Sequence, residues 1–143
     1  MPYLVDGSNL GGLLGGSPGA RDRAGVLRLL LSWARGRRRV VVVFDGPADP
    51  ALARTYGPLE VRFGGARSAD DAILAALGRR PADWWVVSDD RALLAACSER
   101  GARTVAAAEL LGKLTRAATA EEERGEGAID VEEWEDWFRR GGG

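Results

Sequence analysis

Three apolar runs in this 143-residue chain each end on a carboxylate: YLVD on Asp6, VVVVFD on Asp45, and WWVVSDD on Asp89 and Asp90. A fourth acidic site, Asp70-Asp71, opens an apolar stretch with helical spacing. A continuous run of Val and Phe predicts a strand buried on both faces. When such a strand stops on Asp, the carboxylate stands at its C-terminal end. In a parallel α/β sheet those ends face one crevice. Carboxylates gathered there repel one another unless a divalent cation binds among them.

The pattern around these runs supports a sheet of that kind. Strands are expected at 2–6, 39–45, 59–63 (an edge or flank strand), 84–88 and 103–106. Helices are expected at 21–36, where Val26, Leu29, Leu30 and Trp33 share a face, and at 68–78, 90–100 and 107–118. A short helix is expected at 50–55 and a Gly-rich loop at 7–20. Strands alternating with helices imply an α/β fold with a central, mainly parallel sheet and helices on both faces. The polar stretch 119–128 reads as a linker. Residues 129–140 read as an amphipathic helix whose Trp134, Trp137 and Phe138 pack on the body or on a second subunit. The expected organisation is one domain over 1–118, followed by an acidic linker and helix over 119–143.

Composition narrows the chemistry. No apolar run approaches the roughly 20 residues a bilayer requires. The opening MPYLVDG has no basic region and meets an acid at once, so no signal peptide and a cytoplasmic setting are expected. The single cysteine, Cys97, excludes an internal disulfide and a multi-cysteine zinc site, and reads as a small buried residue. The chain has no histidine, which removes the usual general base and the commonest zinc ligand. A hydrolase built on this chain would rely on carboxylates, a metal and water. Charge is unevenly placed: residues 1–119 carry 17 basic and 12 acidic side chains, residues 120–143 carry 3 and 9. The basic body suits a polyanionic partner. Arg21, Arg23, Arg67 and Arg91 lie nearest the expected crevice and are the expected phosphate contacts. Arg37-Arg38-Arg39 falls at a helix-to-strand junction, on the opposite side.

Each acid also has an ordinary structural reading. Asp6 and Asn9 fit a turn that satisfies its own backbone, or a ligand and its hydrogen-bonding companion. Asp45-Gly46-Pro47 fits a turn equally well. Ser68 and Asp71 have the spacing of a capping box, which leaves Asp70 as the better ligand. Asp89 could cap a helix that begins at Asp90. The glycines between residues 11 and 16 do not have dinucleotide-binding spacing and no Gly-Lys-Ser/Thr follows.

Taken together and in order, YLVDGSNL, VVVVFDG, SADDAI and VVSDDRALL resemble the PIN-like NYN nucleases, in particular their YacP-like branch, over about residues 1–112. The resemblance implies a Rossmann-like, three-layer PIN/NYN fold, a Mg²⁺ or Mn²⁺ site and endonuclease action on RNA. It matches Asp6, Asp70 and Asp90 to the metal-binding, catalytic acids. Asn9 is matched as companion of Asp6, Ser88 as the hydroxyl of the last motif and Asp45 as a frequently acidic position, expected to help the three acids hold one or two cations. Asp89 stands where the family commonly has Ser, which leaves it open as an extra ligand or a cap. The expected partner is single-stranded RNA, mRNA presented on ribosomes included, with no membrane contact. Two other classes fit the same residues: a non-catalytic RNA-binding module, and a nucleotide-binding protein that uses the Gly-rich loop.

Overall fold

A computed structural model describes residues 2–13, 20–35 and 39–124, apart from the side chains of 20–22 and 117–124. The elements are β1 (Tyr3–Asp6), α1 (Gly7–Leu13), α2 (Ala20–Ala34), β2 (Val40–Phe44), β3 (Thr55–Tyr56), β4 (Leu59–Phe63), α3 (Ala69–Leu77), β5 (Trp85–Val87), α4 (Arg91–Glu99), β6 (Arg103–Val105) and α5 (Ala107–Arg124). One 3₁₀ turn, Pro81–Asp83, precedes β5. Among the described residues, six strands form one sheet in the order β3-β4-β2-β1-β5-β6. All pairings are parallel except β3 with β4.

The continuous valine run of β2 is explained by two cores. Val40, Val42 and Phe44 point into one, with Val5, Val87, Leu27, Leu30, Leu110 and Leu114. Val41 and Val43 point into the other, with Leu4, Val86, Ile73, Leu77, Leu93 and Cys97. The first core lies under α1, α2 and α5, the second under α3 and α4. The sheet is therefore the middle of three layers. Burying each such Val or Leu contributes about 1.5–3 kcal/mol before entropic costs, so neither face of β2 is left to water. Cys97 is buried and unpaired, as its place in the α4 pattern predicts.

Three expectations need correction. Residues 7–13 are helix, not loop. Leu10 at 1% exposure anchors α1 in the core, and tertiary burial overrides the poor helix propensity of its glycines. Residues 50–54 form turns and a bend rather than a helix, with Ala51 N–H donating to Asp49 Oδ1 at 2.9 Å. The chain then enters the two-residue strand β3. Finally, α5 continues through Arg124, so the first part of the expected linker is helical. Its Ala and Glu residues favour that extension. The expected helix at 129–140 lies outside the described residues.

Candidate active site at the C-terminal edge of the sheet

Chain order reverses at β1, which has β2 on one side and β5 on the other. The carboxyl ends of β1 and β5 are therefore neighbours, and a crevice forms where their following segments part. Asp6 ends β1 there and is 6% exposed, while Ser88, just past β5, is fully buried. Ser88 Oγ donates to Asp6 Oδ2 at 3.0 Å and accepts the Asp90 N–H at 3.0 Å. The Asn9 N–H donates to Asp6 Oδ1 at 3.3 Å. Asn9 Oδ1 in turn accepts the Asp89 N–H at 2.9 Å, so the side chain of α1 ties down the loop that leads into α4.

Asp90, not Asp89, caps α4. Its Oδ1 accepts the N–H groups of Ala92 at 3.0 Å and Leu93 at 3.2 Å. The helix begins one residue later than the sequence suggests, which moves the cap from Asp89 to Asp90. Asp89 is exposed, and its Oδ1 accepts from Ala108 N–H at 3.4 Å in the first turn of α5. Ser68 caps α3 by accepting the Asp71 N–H at 3.2 Å, as its spacing predicts. Asp71 is exposed, and half-buried Asp70 turns toward the other acids.

Electrostatics shows which acids meet. Burial raises the Asp6 carboxyl above its ordinary value; Ser88 and Asn9 oppose that by hydrogen bonding, and the charges of Asp45 and Asp90 add to it. Asp70 is pushed up to about 6 by burial, then by a hydrogen bond shared with Asp90 and by the charges of Asp90, Asp6 and Asp45. Asp6, Asp45, Asp70 and Asp90 thus share one electrostatic environment, whereas the Asp89 carboxylate turns to the start of α5 and the Asp71 backbone N–H to Ser68. Of these, Asp6, Asp70 and Asp90 offer only oxygen donors that repel one another, which fits a hard divalent cation in chemistry. Among the described residues, no three or more acidic or thiol side chains stand close enough to hold an ion as they lie.

Among the expected phosphate contacts, Arg23 is the best ordered by its surroundings. Its guanidinium lies over the rings of Phe63 at 5.3 Å and Phe44 at 5.8 Å, and Nη2 donates to the Asp45 carbonyl at 3.5 Å. Arg67, in the loop before α3, and Arg91, next to Asp90, are exposed. The side chain of Arg21 lies outside the described residues. Arg39 sits at the opposite edge, over Trp84 at 5.6 Å and paired with Glu60 at 3.5 Å. Sequence reasoning missed Ser8, whose Oγ accepts the Asp45 N–H at 3.0 Å. Nothing in a Gly-Ser-Asn turn marks that contact before the strands are paired. Among the described residues, no helix is long and apolar enough to cross a membrane.

A model of the YacP-like NYN domain matches residues 20–136. A tryptophan-to-leucine mutant of Rae1 (YacP) from Bacillus subtilis is similar in structure, with 27% identity, a TM-score of 0.67, and coverage of 87% of this chain and 80% of that one. Another structure of Rae1 (YacP) from Bacillus subtilis, 23% identical over 99% of this chain and 95% of that one, has a TM-score of 0.65 and shares the fold. No curated protein matches the chain. The three-layer, PIN-like α/β architecture and the family match over most of the sequence place this chain in the YacP-like NYN domain family.

Proposed function

We propose that the protein is a metal-dependent endoribonuclease that hydrolyses phosphodiester bonds of single-stranded RNA. Membership of the NYN family supports an RNase-type domain. The observation that carries the finer reading is that Asp6, Asp70 and Asp90 lie at one edge of the sheet within reach of one another's charge, with Asp70 pushed up to about 6 by burial first and by Asp90 next. A cluster of acids in that state is relieved by a divalent cation such as Mg²⁺ or Mn²⁺, which these three residues would hold. When bound, the cation would supply Lewis-acid stabilisation of phosphate charge and a bound water of lowered pKa.

The protein's own groups do the rest. Ser88 and Asn9 fix the Asp6 carboxylate, and the α4 cap fixes that of Asp90. Arg23, whose guanidinium lies over two phenylalanine rings, presents a fork to a phosphate, and exposed Arg67 and Arg91 supply further phosphate contacts. A flexible single strand enters such a crevice more readily than a duplex. In-line attack by water leaves a 5′-phosphate. The proposal extends to a cytoplasmic setting, with mRNA presented on ribosomes among the RNA substrates.

The test is cleavage of labelled single-stranded RNA with Mn²⁺, with Mg²⁺ and with EDTA, comparing wild type, Asp6→Asn and Asp90→Asn. Metal-dependent products that disappear in both variants are expected. Full activity in the variants overturns the mechanism. RNA binding without turnover by any of the proteins points instead to a non-catalytic module.

A further inference from the structure

Asp45 directly follows β2 at the crevice, and from that place it reads as a fourth ligand. Its bonds serve another purpose. Oδ1 accepts the N–H of Ala69, the first residue of α3, at 2.7 Å. The backbone N–H donates to Ser8 on α1 at 3.0 Å, and the carbonyl accepts from Arg23 on α2 at 3.5 Å. The loop before α3 is zipped against the same strand end. Gly64 N–H donates to Phe44 O at 2.9 Å, and Gly65 N–H to Gly46 O at 2.8 Å. A Cβ on Gly64 would stand 2.5 Å from the Arg67 carbonyl oxygen, so only glycine lets this loop fold back far enough. The first N–H groups of a helix have no partner within it. In α3, Ser68 takes that of Asp71 and Asp45 takes that of Ala69; the residue between is Asp70.

We propose that Asp45 is a positioning residue, which clasps the start of α3 to the end of β2 and so sets Asp70 against Asp90, and that it does not ligate the cation. What Asp70 does there rests on the nuclease reading; the clasp itself does not. A clasp needs an acceptor oxygen at the Oδ1 position. A ligand needs the negative charge. Asp45→Asn keeps the first and removes the second, and Asp45→Ala removes both.

The experiment compares wild type, Asp45→Asn, Asp45→Ala and Asp70→Asn in two readouts. The first is cleavage of single-stranded RNA across a Mn²⁺ titration. The second is amide hydrogen exchange at Ala69 and along α3 without metal. Mass spectrometry verifies that the introduced amide, which precedes Gly46, has not deamidated. The expected result is that Asp45→Asn cleaves within about threefold of wild type at an unchanged Mn²⁺ midpoint. Asp45→Ala should lose about tenfold or more through misplacement of Asp70, with faster exchange at Ala69. Asp45→Asn as inactive as Asp70→Asn, or with a raised Mn²⁺ midpoint and wild-type protection of Ala69, makes Asp45 a ligand and overturns the proposal. If wild type cuts no RNA, the nuclease reading fails while exchange still decides the clasp. Protection lost only in Asp45→Ala supports it, and equal protection in all four proteins refutes it.

Discussion

The hydroxyl of Ser88 donates to the carboxylate of Asp6 at 3.0 Å, across 82 positions of sequence, from a site with no solvent exposure. The same oxygen accepts the Asp90 N–H, so one buried atom links the ends of β1 and β5 and both acids that follow. Ser88→Ala leaves a carboxylate oxygen and a backbone N–H without their partner. The expected cost is about 1–3 kcal/mol of stability, read as a lower melting temperature. The lost hydrogen bond also lets the Asp6 carboxyl rise further, because that bond opposes the effect of burial. The acid limb of RNA cleavage should move to higher pH. A variant with wild-type stability and an unmoved limb would show that the hydroxyl is idle.

Asp70 makes a prediction about stability and pH. Its carboxyl lies at about 6 in the folded protein against an ordinary 3.8, raised by burial first and by Asp90 next. The folded state therefore binds this proton more tightly than the unfolded chain. The contribution is fully present below the unfolded value and is lost as pH rises through the folded one. In EDTA the melting temperature should fall between about pH 5 and pH 7. Mn²⁺ should offset the fall, and do so more at the upper end, since ligands must shed protons to bind. A melting temperature that climbs across that window in EDTA contradicts the assignment.

At Gly7, α1 approaches the sheet too closely for a side chain. A Cβ there would lie 2.5 Å from Phe44 Cε1 and 2.7 Å from Val42 Cγ2. Phe44 is 1% exposed and has no room to swing away. Gly7→Ala should cost about 1–3 kcal/mol by overpacking. It should also weaken cleavage more than Gly12→Ala, because Gly12 would meet nothing within 4 Å and Asn9 rides on the displaced turn. Denaturant melts of the two variants, with cleavage assays beside them, check both halves.

The elements legible in the sequence are those whose side chains carry a period or whose ends carry a cap. Val40 to Phe44 is apolar throughout because two cores claim alternate residues, and that run is visible before any pairing is known. Ser68 and Gly78 bracket α3 as their chemistry predicts. α1 was not legible, since Gly7, Gly11 and Gly12 disfavour a helix and what holds it is tertiary: burial of Leu10 against the sheet and the bonds of Ser8 and Asn9 to distant loops. The acids at the strand ends were legible as a group because parallel topology brings such ends together. Their division of labour was not. Asp45 touching Ala69 and Asp89 touching Ala108 are contacts over 24 and 19 positions, which local pattern cannot reveal.

Asp90 has two duties that substitution can separate. Its Oδ1 holds the N–H groups of Ala92 and Leu93, a capping task that an Asn side chain performs equally well. Its charge faces Asp6 and Asp70, where it raises both carboxyls. Asp90→Asn should thus keep the melting temperature near wild type or raise it slightly without metal, because a repelling charge has gone. It should nevertheless lose metal-dependent cleavage and the stabilisation that Mn²⁺ confers. Asp90→Ala should lose those and, in addition, about 1 kcal/mol from the missing cap. Thermal melts of the three proteins with EDTA and with Mn²⁺ separate the terms. Equal destabilisation by both substitutions would mean that the charge, not the cap, is what α4 uses. Retention of the Mn²⁺ shift in Asp90→Asn would remove Asp90 from the cation's ligands and leave it a helix cap beside the site.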